Sequence, residues 1–230
     1  MKHIALTFLM IMGFLEISCS AMDNITFYSF STDPDLQTFT EPYPGQRTQW
    51  LKSALPIPET SGGSFIFEFD LDIATFNHYA SLMIALDKTN TQCLEFLFNK
   101  GDDRINRCYL RVQAAPGVVE ECKPFENVTP GKMRACIEYD AAARTALFSL
   151  SSADGKELFS SGRIRINGRI SLNRIVIGVT QCDNKVSEIS YDPSVAALFC
   201  RSHVGIEGAY PYSIEAFIDN LAINFIPPAE

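Results

Sequence analysis

The residues best placed to do chemistry are carboxylates. In the segment FIFEFDLDI (65–73), Glu68, Asp70 and Asp72 stand at alternate positions. A period of two puts all three on one face of a β-strand, with Phe65, Phe67, Phe69, Leu71 and Ile73 on the other. Such a row can serve acid–base work, bind an ion or a sugar, or be no more than the solvent side of a sandwich strand. Oxygen-rich segments form a second group: GDDRIN (101–106) with Asp102 and Asp103, then Asp183 with Asn184, and Asp219 with Asn220. Hard oxygen donors of this kind suit calcium, the one cofactor these residues could hold. Their spacing is not that of an EF-hand, and Asp, Asn and Gly clusters are also ordinary turn chemistry. A third group is aromatic. Trp50, Tyr43, Tyr210 and Tyr212 could stack on sugar rings beside hydrogen-bonding acids such as Asp102 and Asp103, and the alternative for Trp50 is to anchor the N-terminal stretch on the core.

Other chemistries find no support. Beyond the N-terminal segment only His78 and His203 remain, neither near a Gly-x-Ser-x-Gly elbow, and no CxxC pair suggests structural zinc. The glycines of HVGIEG (203–208) do not lead from a strand into a helix, so they read as a loop and not a phosphate cradle. A net charge of −8 weighs against nucleic acid or an anionic membrane surface as partner.

The N-terminus, MKHIALTFLMIMGFLEISCSA, has a lysine, an apolar run and then small residues, which is the grammar of a secretory signal covering 1–21. Cys19 raises a lipoprotein alternative, against which Glu16 stands where that pattern wants an aliphatic side chain. No later apolar run is long enough to span a bilayer. Removal of the signal leaves six cysteines, Cys93, Cys108, Cys122, Cys136, Cys182 and Cys200. An even count behind a signal predicts disulfides in an oxidising compartment. Fifteen pairings are open, and loop length favours neighbours: 93 with 108, 122 with 136, 182 with 200. Asn24-Ile-Thr and Asn127-Val-Thr match the glycosylation acceptor, the second weakened by Pro130.

These side chains need a scaffold, and its elements read as strands. After a strand candidate at 24–30, residues up to 63 look like a long connection holding at most one short strand and packed on the core. From 64 onwards YASLMIALD, CLEFLF, RCYLRVQ, RIRI, NRIVIGV and EAFIDNLAINFI follow one another between polar turns. In MRACIEYDAAARTALFSL (133–150) two alternating runs flank a break at Asp140–Arg144, which predicts a hairpin with Met133, Ala135, Ile137 and Tyr139 in the core. SYDPSVAALFC (190–200) alone hints at a helix, capped by Asp192 with Pro193 in its first turn. Ten or more strands with almost no helical pattern predict an all-β, two-sheet antiparallel sandwich or barrel. At 230 residues this is one domain: a body over 64–230 together with 22–63.

The hairpin residues Ile137, Tyr139, Asp140, Arg144, Thr145, Leu147 and Leu150, with the closing Ile218-Asp219-Asn220-Leu221-x-Ile223, resemble adjacent and last strands of the concanavalin A-like lectin and glucanase superfamily. The resemblance covers about 64–226 and implies a jelly roll whose face or rim loops contact glycans. It also implies a role for the carboxylate row: glucanases of the superfamily carry Glu, Asp and Glu at such alternate positions, the outer two as nucleophile and acid/base. Here Asp72 stands where the second Glu belongs, one methylene short, and no tryptophan flanks the triplet, although glycosidase carboxyls must keep a set separation. The expected protein is a secreted, lectin-like module for a glycan or a cell-surface glycoprotein, not an enzyme. The alternatives are a glycan-degrading enzyme (a hydrolase through Glu68 and Asp72, or a polysaccharide lyase) and a protein-binding extracellular module.

Overall fold

A computed structural model of the chain describes residues 25–28, 34, 36–42, 49–58, 63–77, 80–88, 91–100, 105–116, 118–180, 185–204 and 212–226. Every regular element among them is a strand. The N-terminal part gives β1 (Ile25–Tyr28), β2 (Gln37–Pro42) and β3 (Gln49–Pro56). Then come β4 (Ser64–Asn77), β5 (Ser81–Lys88), β6 (Gln92–Lys100), β7 (Asn106–Ala115), β8 (Val118–Glu121) and the short β9 (Phe125–Glu126). The remainder is β10 (Gly131–Asp140), β11 (Thr145–Ser152), β12 (Glu157–Arg165), β13 (Arg174–Thr180), β14 (Lys185–Asp192), β15 (Ala197–Val204) and β16 (Tyr212–Ile226).

These strands build two antiparallel sheets. The first runs β12-β11-β10-β4-β16-β15-β14, with β1 also on β16; the second runs β2-β3-β13-β5-β6-β7-β8, with β9 also on β7. The inward faces meet in one core. Phe65, Phe67, Phe69, Leu71 and Ile73 of β4 enter it from the first sheet, and Leu82, Ile84, Leu86, Phe96 and Phe98 from the second. Phe96 sits at the meeting point, its ring 4.4 Å from Phe148, 4.5 Å from Phe98 and 5.5 Å from Phe69. The expected faces of β4 and of the hairpin are as the alternation requires.

The hairpin turn shows how local sequence sets geometry. Asp140 Oδ1 accepts the amide hydrogens of Ala142 (3.0 Å) and Ala143 (2.9 Å), and Arg144 closes the turn with φ of 54°. The Tyr139 hydroxyl then accepts the buried Ile170 N–H at 3.3 Å. Tyr139→Phe removes the only atom of that side chain able to accept, and is expected to lower stability by about 1–3 kcal/mol in a urea titration. A loss indistinguishable from zero would mean that this hydroxyl does not hold the 166–172 segment.

Three expectations are corrected. The 22–63 stretch contains β2 and β3, which pair with one another, and β3 pairs in turn with β13, so that the two form one side of the second sheet. The 190–200 segment is not a helix: it is the end of β14, a turn over 193–196 and the start of β15. Asp192 does accept from the Ser194 amide at 2.8 Å, as a cap would, yet the chain then turns back at Ala196 (φ 52°) because Leu198 and Cys200 have core positions to fill. Lastly, no disulfide joins two described cysteines. Cys108, Cys122, Cys136 and Cys200 are free thiols, and two of the expected pairings are excluded by side-chain parity. Cys93 lies on the outward face of β6 with Leu97, whereas Cys108 faces the core from β7. Cys122 also faces the core, whereas Cys136 shares the outward face of β10 with Arg134. Cys182 lies outside the described residues, and so do residues 1–24 with the expected signal and Asn24.

Candidate functional site

The carboxylate row of β4 is built by its two neighbours. On one side the register sets Lys132, Arg134 and Cys136 of β10 opposite Asp72, Asp70 and Glu68. The Arg134 guanidinium spans two acids, with Nη2 and Nε at 3.3 and 3.4 Å from Glu68 and Nη1 at 3.4 Å from Asp70. The Glu68 hydrogen bond holds the Arg134 pKa above its ordinary value, against the opposing effect of desolvation. Lys132 Nζ stands 4.0 Å from Asp72.

On the other side lies β16, where the register slips between Asp219 and Ala222. This bulge puts Asn220 at φ of 52° and lets its Nδ2 donate to Asp70 Oδ2 at 2.8 Å. The structure therefore joins two groups that the sequence left apart, the β4 acids and the Asp219–Asn220 pair. Asp70 becomes a doubly supported acceptor, gripped by an amide and a guanidinium.

Asp70, Asp72, Lys132, Arg134, Asp219 and Asn220 form the polar part of a cleft of about 510 Å³ on the outward face of the first sheet. Its apolar part is Ala153, Val195, Ala197 and Phe217. Two tight turns bound it. One is the β11–β12 turn, where Gly155 (φ 83°) donates its amide to the Ser152 carbonyl at 2.9 Å. The other is the β14–β15 turn, which presents Val195 at 55% exposure. Next to the cleft Phe217 tilts against Phe199, centroids 5.2 Å apart, and Arg201 lies over Phe199 while paired to Glu188 at 2.7 Å. Val195, Phe217 and the bulge-turned Asn220 were not legible as a unit in the sequence, since they come from strands paired only through the tertiary fold.

Glu68 does not line the cleft. Asp70 has a donor on each oxygen, Arg134 on Oδ1 and Asn220 on Oδ2, and keeps further lone pairs for a ligand. Among the described residues no three Asp, Glu, His or Cys side chains are grouped as a metal requires. Asp102, Asp103, Asp183 and Asn184 lie outside the described residues, as do Tyr43 and Tyr210; Tyr212 opens β16.

Trp50 is elsewhere. It lies on the outward face of the second sheet at 3% exposure, in a cluster with Ala54, Met83, Ala85, Cys93, Leu97 and Val176. A Trp face closed to solvent offers no stacking platform, so this candidate is corrected to a packing role. Gly178 makes the room: a Cβ there would stand 2.8 Å from Met83 Cε and 3.4 Å from the Trp50 ring. Charged groups share this face. Asp87 is fully buried and bound through both oxygens to Arg174, and Arg111 bridges buried Glu95 (3.5 Å) and Glu121 (2.9 Å). Asn127 is exposed, in a left-handed conformation at φ of 60°. The described residues include no helix long and apolar enough to cross a membrane.

No family model matches the chain, and no curated protein matches it in sequence. Among solved structures, the β-glucanase of Bacillus licheniformis is similar over 88% of this chain and 99% of its own, with a TM-score of 0.51 and 9% identity. A legume lectin-like domain from Entamoeba histolytica is similar over 90% and 92% respectively, with a TM-score of 0.48 and 10% identity. The CBM2 module of the Lactobacillus casei BL23 phage J-1 evolved Dit gives 90%, 93%, 0.49 and 9%. At such identities the likeness is one of fold, and the fold of this chain is the two-sheet, all-β sandwich of the concanavalin A-like lectins and glucanases.

Proposed function

We propose that this chain is a secreted glycan-recognition module that holds its ligand in the cleft on the first sheet. The observation that carries the reading is Asp70, fixed between Asn220 and Arg134 beside the apolar surface of Phe217 and Val195. A sugar presents hydroxyls that donate to a carboxylate and C–H faces that pack on apolar side chains, and the cleft offers both within one cavity of ligand size. Binding is favoured over hydrolysis because Glu68, the acid a nucleophile would have to be, lies outside the cleft and is tied by two hydrogen bonds to Arg134. The acidic balance of the chain suits neutral or cationic glycans better than uronate polymers.

The test is a glycan array on the chain lacking 1–21, run with calcium and again with chelator, each hit being re-incubated and analysed for cleavage. Binding without product is the expected result. Product formation would overturn the non-enzymatic reading, and a folded sample that retains nothing on a broad array would overturn the glycan assignment in favour of a protein ligand.

A further inference from the structure

Two free thiols meet at the β7 side of the second sheet. Cys108 is fully buried and Cys122 is 5% exposed, and both face the central core. Cys122 is seated opposite Leu110: its amide donates to the Leu110 carbonyl at 3.0 Å, and its Sγ accepts the Leu110 amide at 3.1 Å. Cys108 is two residues back along β7, on the same face as Leu110 and opposite Phe125. The two cysteines are therefore diagonal neighbours across one ladder, a relation that sets Cα atoms about 7–8 Å apart, just beyond the span of a relaxed disulfide.

The chain between β8 and β9 has the slack to close that gap. From Leu110 to Cys108 is two steps on β7, while from Cys122 to Phe125 is three on the facing segment, so one residue bulges. Cys122, Lys123 and Pro124 belong to no strand, and Lys123 is exposed. A pocket of about 240 Å³ lined by Asn99, Arg107, Tyr109, Glu121, Cys122 and Pro124 lies on the outward side of this segment.

We infer that Cys108 and Cys122 are a disulfide-forming pair, in place of the neighbours that loop length suggests. The oxidant is a small-molecule or protein disulfide. The Cys122 thiolate attacks it, expelling one donor thiolate and leaving a mixed disulfide on Cys122; the Cys108 thiolate then attacks Cys122 Sγ and expels the second. Two protons leave the cysteines, one S–S bond forms and one breaks, and the donor is reduced to two thiols. Burial, reinforced by Cys122, pushes the Cys108 thiol far up, and burial also raises Cys122. A folded, reduced chain thus exposes little thiolate, and the bond forms while the chain folds. In the cell this rests on the proposed export to an oxidising compartment.

The experiment is refolding of the mature-length chain in a buffer of reduced and oxidised glutathione, which tests the pairing whatever the compartment. Remaining thiols are trapped with iodoacetamide and unreduced tryptic peptides are mapped by mass. The expected result is the peptide 108–111 linked to the peptide carrying Cys122 in more than half of the molecules, with the same link in a Cys136→Ser chain. Recovery of Cys108 and Cys122 as separate alkylated peptides, or a link from Cys108 to another cysteine, would overturn it. A third readout is thermal: reduction of the wild-type chain is expected to lower its unfolding temperature and to leave that of a Cys108→Ser/Cys122→Ser chain unchanged.

Discussion

Phe96→Ala is expected to destabilise the protein by about 3–5 kcal/mol, the range for deleting a buried aromatic side chain from a close-packed core. Phe96 has no exposed surface, and its ring touches both sheets, Phe98 in its own and Phe69 and Phe148 in the other. The loss combines transfer of the ring with a cavity that two rigid sheets cannot collapse to fill. Against a typical total of about 5–15 kcal/mol, it takes about a fifth or more of the stability of an ordinary domain. Chemical denaturation provides the measurement, as a lower midpoint with an unchanged slope. A change below about 1 kcal/mol would contradict the inter-sheet packing described above, because even one buried methylene is worth nearly that much.

Asp70→Ala is expected to weaken the glycan identified on the array by at least about tenfold, equivalent to about 1.4 kcal/mol. The substitution removes the acceptor at the centre of the cleft, frees the Asn220 amide, and leaves Arg134 held by Glu68 alone. Because the Asp70 side chain is 42% exposed, the variant should unfold within about 0.5 kcal/mol of the wild type. Glu138→Gln is the control: Glu138 shares the outward face of β10 and pairs with Arg163 at 3.0 Å, but does not line the cleft. Calorimetric titration separates the outcomes. Equal affinity in all three proteins would move the ligand away from this cleft.

The strands with one wet face were readable at once. In β4 and β10 the alternation of Phe and Asp, or of Ile and Glu, names the face directly, and the hairpin turn carried its own signal in Asp140. The second sheet obscured itself. Residues 82–86 of β5 are apolar at every position because Leu82, Ile84 and Leu86 enter the central core while Met83 and Ala85 enter the other cluster, so no period of two survives. In β3 the opposite problem arises: Lys52 and Ser53 look like surface residues and are buried, which made a strand read as a connection. Asp192-Pro-Ser failed for a third reason, since a side-chain acceptor for a nearby amide begins a helix and makes a turn equally well. The site suffered most. Its acids could be named from the sequence, but the bulge that turns Asn220 toward Asp70 arises from a register between residues 150 positions apart. Two of the neighbouring cysteine pairings, 93 with 108 and 122 with 136, failed on the same ground, because loop length carries no information about which side of a sheet a thiol faces.

The position of β16 governs the order in which the molecule can be made. It is the last described strand to leave the ribosome, yet it lies in the interior of the first sheet, between β4 on one side and β15 and β1 on the other. Until it arrives, β4 with β10–β12 and β14 with β15 are two separate half-sheets, each with an unsatisfied edge. Closing the seam pairs Phe67 with Ile223 and Ile25 with Asn224, contacts spanning most of the chain. Such long-range closure makes folding slow. A chain truncated before residue 212 keeps two open edges ready to associate with each other or with other copies.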